Sequence, residues 1–271
     1  MPFASVRDLN MYYEIAGTGP RLLYISGTGG DLRGQPRVFD GPLPGSFEVL
    51  SYDQRGLGQT PKPDTAYSMA DYADDAAGLL DAAGWERCLV MGVSFGGMVA
   101  QELALRHPAR VERLVLCCTS SGGAGGSSYP LHELQHMAPA ERAVFQISIT
   151  DKRKDAAWQA ANPDAVRQAV EMAAAGNARR QAEPGGEMGY RRQLEARAAH
   201  DTYDRLPSLT MPVFLAGGRY DGQAAPANLE TLRERIPGSR LEFFEGGHGF
   251  TRDDPNALQR ITAFLLGKLD E

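Results

Sequence analysis

The sequence predicts an α/β protein in which a mostly parallel central sheet is flanked by helices. Short apolar runs of strand length alternate with longer segments of helical spacing, an order that covers a parallel sheet with helices. The chain has 271 residues and 42% of them are apolar, which is enough to fill the core of one such domain with an insertion. Residues 121–207 break the alternation and indicate where that insertion lies.

Six apolar runs predict the central strands of this sheet. They lie at residues 22–26, 47–52, 88–93, 111–118, 212–216 and 241–244. Residues 3–15 precede these runs and predict an antiparallel hairpin or meander at the edge of the sheet.

Helical spacing predicts the elements that cover the sheet. The helices are expected at residues 68–83, 97–106, 226–235 and 255–269. The first begins at Ser68, a residue type that caps helices, and stops before Gly84. The last two have a proline near the first turn, where its missing N–H costs nothing.

The long segment without strand signals follows the stretch SSGGAGGSS. Runs rich in Val and Ile disappear there, and Ala, Arg, Glu, Gln and Met dominate, which favours helices. Breaks between the helices are expected at Asn162-Pro163, Gly176 and Pro184-Gly185-Gly186. We therefore predict a helical cap at residues 121–207, inserted after the fourth parallel strand between two parts of one core, residues 1–120 and 208–271.

Composition excludes several classes of partner. The net charge is −6 with both signs spread along the chain, so no basic stripe is available to nucleic acid. No run approaches the ~18 consecutive apolar residues of a membrane span, and the first residues lack the charged start and apolar stretch of a signal peptide. We predict a cytoplasmic protein without nucleic-acid or membrane partners, and the sequence leaves its oligomeric state open.

Three cysteines, Cys88, Cys117 and Cys118, all lie in apolar runs. Adjacent Cys117 and Cys118 would point to opposite faces of the predicted strand, an arrangement that suits neither a disulfide nor a metal site. We interpret all three as small buried apolar residues of a reduced protein. No metal site is predicted.

A candidate nucleophile lies in Gly92-Val93-Ser94-Phe95-Gly96, which matches the pattern G-x-S-x-G between an apolar strand and a helix. A serine at the apex of a sharp strand-to-helix turn has a strained backbone, and glycines two residues away on either side prevent collisions with the neighbouring elements. The helix that follows directs its N-terminus at a developing oxyanion. We predict that Ser94 is the nucleophile.

The candidate base is one of five histidines, His107, His132, His136, His200 and His248. His107 is expected to end a helix, and three others lie in the predicted cap. His248 lies in EGGHGF directly after the last strand, where glycines let the loop fold closely over Ser94. A neutral imidazole there can accept the serine proton.

The candidate acid is Asp221 in GGRYD, directly after the fifth central strand. A carboxylate in that loop can hold the second imidazole nitrogen of the base and stabilise the imidazolium. The loop after the fourth strand is the alternative place for the acid. It reads TSSG and holds no carboxylate, which leaves Asp221 as the choice.

The Gly-rich loop at residues 26–30 follows the first central strand, and its backbone N–H groups can face an oxyanion together with the N–H of Phe95. A dinucleotide site with Asp53 on the ribose is the rival interpretation. It fails because Leu32 occupies the position of the third glycine and Pro36 interrupts the helix that would receive the pyrophosphate. No cofactor is predicted.

The ordered motifs SGTGGD, DQRGLGQT, GVSFGG, GGRYD and GGHGF resemble the α/β-hydrolase superfamily, nearest to small serine esterases, lactone hydrolases and cofactor-free haloperoxidase-like proteins. The resemblance covers nearly the whole chain except the cap and implies the α/β-hydrolase fold. It implies Ser94 as nucleophile, Asp221 as acid and His248 as base, with Thr28 and Phe95 supplying the oxyanion N–H groups.

The resemblance has one departure, because Ser26 stands where many relatives have histidine, so the shape of that loop is left open. The turn at residues 53–58 is assigned no chemistry. The nucleophile at the strand-to-helix turn, called the elbow below, is a serine where some other enzymes of this fold have aspartate. This argues against haloalkane dehalogenase or epoxide hydrolase chemistry.

The function predicted is hydrolysis of a carboxylic ester or lactone through an acyl-enzyme, with a small-molecule substrate and no metal or cofactor. A carbon–carbon bond hydrolase or a perhydrolase would use the same residues, and a non-enzymatic ligand receptor on this fold is the third alternative. Arginines in the predicted cap can line a pocket or pair with an acidic substrate, although a solvated face is their commoner role. They are Arg179, Arg180, Arg191, Arg192 and Arg197.

Overall fold

The computed structural model describes residues 3–269 and contains one eight-stranded sheet in the order β1-β2-β4-β3-β5-β6-β7-β8. Its strands are β1 (Phe3–Val6), β2 (Leu9–Ala16), β3 (Arg21–Ile25), β4 (Glu48–Tyr52), β5 (Cys88–Val93), β6 (Val111–Cys117), β7 (Val213–Gly218) and β8 (Arg240–Phe244). Strands β3 to β8 pair in parallel, and β1 and β2 add an antiparallel edge. The predicted fold class is confirmed, including the antiparallel hairpin at the start.

The helices cover both faces of this sheet. They are α1 (Met69–Ala82), α2 (Phe95–Arg106), α3 (Pro139–Thr150), α4 (Ala156–Ala161), α5 (Pro163–Ala182), α6 (Gly186–Ala198), α7 (Pro226–Arg235), α8 (Phe250–Asp253) and α9 (Pro255–Leu265). Apolar residues of α1, α2 and α7 form one buried layer with the sheet, and those of α8 and α9 form the other. No helix within residues 3–269 is long and apolar enough to cross a membrane.

Strand β5 shows why the central runs are apolar throughout. Its residues alternate between the two layers, with Cys88 and Val90 in the layer of α1 and α2, and Leu89 and Met91 in the layer of α9. A parallel strand buried on both faces cannot use the polar alternation of a half-exposed strand. The continuous run CLVMGV is the consequence.

The helix boundaries follow local capping signals. Ser68 Oγ accepts the N–H of Asp71 at 3.1 Å, and Asp71 Oδ2 accepts the N–H of Ser68 at 3.0 Å, a capping box that starts α1. The prediction of a helix to residue 269 was too long, since α9 ends at Leu265 and the chain turns at Gly267 with φ +74°.

Helices α3 to α6 all lie within residues 121–207, between β6 and β7. Two of the three predicted breaks are present: α4 ends at Ala161, directly before Asn162, and Gly185 separates α5 from α6. The third prediction was wrong, because α5 continues through Gly176, where an added Cβ would meet no atom within 4 Å. A glycine inside a long helix costs only about 1 kcal/mol relative to alanine, too little to stop the helix.

Candidate active site

The predicted nucleophile Ser94 lies at the junction of β5 and α2, where its backbone has φ 56° and ψ −117°. Two hydrogen bonds from β6 and the residues after it hold this strained turn. The Ser94 N–H donates to the carbonyl of Cys117 at 2.8 Å, and Thr119 Oγ1 donates to the Ser94 carbonyl at 2.9 Å. The side chain lines a cavity at the carboxyl end of the sheet.

Two glycines make this turn possible. A Cβ at Gly92 would lie 2.3 Å from the carbonyl oxygen of Gly96, and a Cβ at Gly96 would lie 2.1 Å from the carbonyl oxygen of Ile25. Both distances are far below a van der Waals contact, so neither position accepts a side chain. The G-x-S-x-G spacing therefore has a steric cause in this fold.

The predicted acid and base lie side by side after β7 and β8. His248 Nδ1 is 2.7 Å from Asp221 Oδ2. Asp221 is fully buried, and its Oδ1 accepts the backbone N–H groups of Gln223 and Ala224, each at 2.8 Å. Since Oδ1 is occupied, Oδ2 accepts the Nδ1 proton, and Nε2 of the neutral imidazole is left as the basic nitrogen.

The C-terminus of α3 holds the loops that carry this pair. The Thr150 carbonyl accepts the N–H of His248 at 2.6 Å, and the Ile149 carbonyl accepts the N–H of Gly222 at 2.9 Å. A Cβ at Gly247 would lie 2.0 Å from the Thr150 oxygen, so the loop and the helix end approach as closely as backbone allows. Carbonyls that a helix leaves unbonded at its end thereby position both loops.

The basic nitrogen of His248 contacts Gln223. Gln223 Nε2 is 3.0 Å from His248 Nε2. Within residues 3–269, which the structure describes, no hydrogen bond joins His248 to Ser94. Ser94, His248 and Gln223 all line the same cavity. The structure thus brings the three predicted residues to one site, but of these only the acid and the base are hydrogen-bonded to each other. No residue pattern in the sequence pointed to Gln223.

Cys118 is the third group beside the acid and base. The prediction that it lies in a strand was wrong: β6 ends at Cys117, and Cys118 has φ +41°, which turns its side chain out of the strand alternation. A sulfur, a carboxylate oxygen and an imidazole nitrogen of Cys118, Asp221 and His248 lie within 4.8 Å of one another. Cys117 and Cys118 belong to the same apolar layer.

The electrostatics of His248 follow from these neighbours. Burial lowers the pKa of His248, but the Cys118 sulfur and the Asp221 carboxylate together outweigh burial and raise that pKa above the ordinary histidine value. We attribute the rise to Asp221, since burial raises the pKa of the Cys118 thiol and keeps it neutral. The imidazolium form is thereby stabilised.

The loop after β3 forms the wall of the cavity next to Ser94. A Cβ at Gly27 would lie 3.4 Å from Ser94 Cβ, and Thr28 lines the cavity. Phe95 is the first residue of α2, so its N–H has no acceptor within the helix. Of the two residues predicted to supply oxyanion N–H groups, Phe95 directly follows Ser94 and Thr28 lines the same cavity.

This loop is fixed from both sides. Gln54 Nε2 donates to the Ser26 carbonyl at 2.8 Å, and Gln193 Oε1 of α6 accepts the Gly29 N–H at 2.8 Å. Asp53 is buried and accepts the Leu32 N–H at 2.7 Å. The turn at residues 53–58, which was assigned no chemistry, therefore supports the loop mechanically.

The cavity has a volume of about 660 Å³ and is lined mainly by apolar side chains near Ser94. These include Tyr24, Val38, Leu43, Met91, Val93, Leu131 and Leu258. Much of one wall comes from residues 36–43, which contain one short 3₁₀ helix and reach the start of a second. No signal in the sequence connected these residues with the site. The 121–207 segment contributes Leu131, Gln146 and Tyr190.

A smaller, charged cavity of about 260 Å³ shares Thr28, Gln146 and Tyr190 with the first. It is lined by the basic residues Arg33, Lys62, Arg142, Arg179 and Arg180 and by the acidic residues Asp31 and Glu183. Of the five arginines singled out in the sequence, only Arg179 and Arg180 reach it. Arg191 is exposed, Arg192 pairs with Asp64, and Arg197 is buried elsewhere.

A family model for the alpha/beta hydrolase fold matches residues 20–254. The chain belongs to the α/β-hydrolase family. This α/β-hydrolase is 30% identical to a Variovorax paradoxus protein named "Putative carbamate hydrolase RutD", over 96% of the chain and 97% of that protein. It is 36% identical to a 2-hydroxymuconate semialdehyde hydrolase of Pseudomonas sp. over 46% of the chain and 42% of that protein.

Among solved structures, the α/β-hydrolase superposes on an enol-lactonase from Burkholderia xenovorans with a TM-score of 0.77, covering 100% of both chains at 24% identity. At that identity the likeness shows the fold. Family and relatives together support hydrolytic activity on a small molecule, and the superfamily expected from the motifs is confirmed.

Proposed function

We propose that this α/β-hydrolase cleaves a carboxylic ester or lactone through an acyl-enzyme on Ser94. The observation that carries the proposal is the 2.7 Å contact between His248 Nδ1 and fully buried Asp221, in the cavity that Ser94 lines. A strained serine, an oriented imidazole and a buried carboxylate are the parts that acyl transfer requires.

The first step is the attack of Ser94 Oγ on the substrate carbonyl. His248 Nε2 accepts the serine proton, for which it must first release the Gln223 amide. The imidazolium that forms is stabilised by Asp221, which accounts for the raised pKa of His248. The tetrahedral oxyanion receives hydrogen bonds from the N–H groups of Thr28 and Phe95.

The second step is collapse of the tetrahedral intermediate. His248 Nε2 returns the proton to the departing alkoxide, and in a lactone the released hydroxyl stays attached to the acyl group. A water then attacks the acyl-enzyme with His248 again as base, and Ser94 recovers its proton. Each proton thus passes through one nitrogen, and the triad ends unchanged.

We also propose that the 121–207 segment roofs the site and selects the substrate. Leu131 and Tyr190 from this segment line the cavity together with the core side chains Met91 and Leu258. Apolar contacts of this kind discriminate between substrates by about 1–3 kcal/mol without abolishing the reaction.

A carbon–carbon bond hydrolase is the second candidate, because the 2-hydroxymuconate semialdehyde hydrolase shares 36% identity over 46% of the chain. Both candidates use the same triad. A panel of p-nitrophenyl esters, lactones, aryl carbamates and ring-cleavage dienoates separates them. We expect the largest kcat/KM for an ester or lactone, and a clear preference for the dienoate would transfer the proposal to the second candidate.

The test of the nucleophile is Ser94→Ala, which should lower kcat by on the order of 10⁶ without unfolding the chain. Ser239→Ala is a control at another buried serine, outside the catalytic cavity. A fluorophosphonate should label the wild type and Ser239→Ala at one site and leave Ser94→Ala unlabelled. Full activity of Ser94→Ala would refute the assignment.

A further inference from the structure

Another cavity, separate from the two at the active site, lies where the end of α6 meets the Gly/Ser-rich loop that follows β6. It has a volume of about 190 Å³ and shares no lining residue with the catalytic cavity. Its polar lining includes Ser120, Ser128, His132, Arg197 and His200. Four of these five side chains belong to buried residues, so the cavity is polar without being an open surface.

The main charged group of this cavity is Arg197, which is only 5% exposed. Its Nη2 donates to Ser128 Oγ at 2.6 Å, and its Nε is buried without an acceptor. Within residues 3–269 no carboxylate forms an ion pair with it. Burial lowers the pKa of Arg197 to about 10, with only a small opposing contribution from Tyr190.

A guanidinium buried in this way is costly unless an anion accompanies it, since removing a charge from water is offset only by a partner of opposite sign. Within residues 3–269 the other buried arginine, Arg55, has such a partner: it is 4% exposed and pairs with Asp75 at 2.8 Å. The Arg197 guanidinium donates to the Ser128 hydroxyl and lines a cavity, whereas the Arg55 guanidinium pairs with a carboxylate.

His200 supplies a second polar group at the same place. It is 3% exposed, and neither ring nitrogen completes a hydrogen bond. Burial lowers the pKa of His200 to about 4, against the opposing effects of the Glu102 charge and the Ser120 backbone, so the ring is neutral at pH 7. A neutral imidazole has one N–H donor to offer an anion.

From this geometry we propose that the cavity between α6 and the loop after β6 binds a small oxyanion, phosphate or a short carboxylate, on Arg197. The forked guanidinium matches the paired oxygens of either group. His200 and exposed His132 can add donors, and the Ser128 hydroxyl, which accepts from Arg197, can donate its own proton to the anion.

Occupancy would tie the 121–207 segment to the core. Arg197 lies near the end of α6, while Ser120 and Ser128 belong to the loop after β6 and are joined by a 3.1 Å hydrogen bond from the Ser128 N–H to Ser120 Oγ. The same helix carries Gln193, which holds the loop beside Ser94. An anion on Arg197 would therefore stabilise the fold without entering the catalytic cavity.

The test is the binding of inorganic phosphate to the whole chain. Binding is measured by calorimetry and by thermal unfolding, at a constant ionic strength set with sodium chloride. We expect one phosphate per chain, and a rise in Tm of about 5 °C when phosphate exceeds its Kd a hundredfold. Acetate and malonate form a second arm, which tells a carboxylate ligand from a phosphate ligand.

Four variants locate the effect. Arg197→Met should abolish the Tm rise, and Arg197→Lys, which keeps the charge but loses the fork, should weaken binding at least tenfold. Arg191→Gln, an exposed arginine on the same helix, and Arg179→Gln, in the charged cavity beside the catalytic one, should bind like the wild type.

Without phosphate, Arg197→Met should be at least as stable as the wild type, because it removes an unpaired buried charge and keeps the volume. A phosphate effect absent from the wild type, retained in both Arg197 variants, or lost in Arg179→Gln would overturn the proposal. Should Arg197→Met fail to fold, Arg197→Lys against Arg191→Gln decides the question.

Discussion

Replacing Asp221 by asparagine perturbs the proposed triad at one atom. Asp221 Oδ1 accepts two backbone N–H groups at 2.8 Å, and Oδ2 contacts His248 Nδ1 at 2.7 Å. In Asp221→Asn the amide oxygen can keep both backbone contacts, so the loop retains its shape. The amide nitrogen then donates to Nδ1 and moves the imidazole proton to Nε2.

The magnitude follows from this change of tautomer. Nε2 carrying a proton cannot accept one from Ser94, so we expect kcat to fall on the order of 10⁴, with a much smaller change in KM. The carboxylate also raises the pKa of His248. Because the base works only in its neutral form, kcat/KM of the wild type should rise with pH through a pKa above the ordinary histidine value of about 6.5. In Asp221→Asn the residual activity should also rise with pH, but the midpoint of that rise should lie at a lower pH than in the wild type.

The assay is steady-state hydrolysis of a p-nitrophenyl ester from pH 5 to 10, with thermal unfolding of each variant. Asp204→Asn is the matched control, because Asp204 is 93% exposed and lies outside the site. A fall in kcat of less than tenfold with an unchanged pH profile would refute the role of Asp221. A large loss of Tm would show that the variant acts on the loop and not on the tautomer.

Three further outcomes are expected from the site and its surroundings. Gln223→Ala should raise kcat/KM up to about fivefold, because one hydrogen bond no longer competes for His248 Nε2; a tenfold fall in single-turnover kinetics would show instead that Gln223 orients the base. EDTA should leave kcat/KM unchanged, since the Asp221 oxygens are already bonded to N–H groups; activity lost to EDTA and restored by Zn²⁺ would contradict this. Burial lowers the pKa of His200 to about 4 in the folded chain, whereas in the unfolded chain it is about 6.5. Because the unfolded chain binds the proton first, the free energy of unfolding in phosphate-free buffer should fall by about 3 kcal/mol as the pH drops from 6.5 to 4. Urea titrations of His200→Leu should lack most of that loss, and an equal loss in the variant would assign it to other groups.

The predictable part of this molecule is the part specified by short stretches of sequence. Gly92 and Gly96 mark the elbow because the neighbouring backbone leaves no room for a Cβ, and such a requirement shows directly in the spacing. Asp221 and His248 follow strands that end at the same edge of a parallel sheet, so their order along the chain indicates that they meet.

The remaining features depend on contacts between distant segments. The Thr150 carbonyl holds the His248 loop across about 100 residues of sequence, and no residue type marks a carbonyl for that task. Gln193 is equally inconspicuous in the sequence, although its side chain fixes the loop at Gly29. Cys118 was placed in a strand because its neighbours are apolar, while its positive φ arises only where β6 turns away.

The most direct test of the proposed function is the mass of the enzyme caught during turnover. The protein is mixed with a p-nitrophenyl ester, quenched in acid within milliseconds, and mapped by peptide mass spectrometry alongside Ser94→Ala. We expect an acyl group on the peptide that contains Ser94, at a level that rises and then decays as more than one equivalent of nitrophenol is released. Sustained turnover with no acyl group on Ser94, or with the acyl group on another residue, would contradict it.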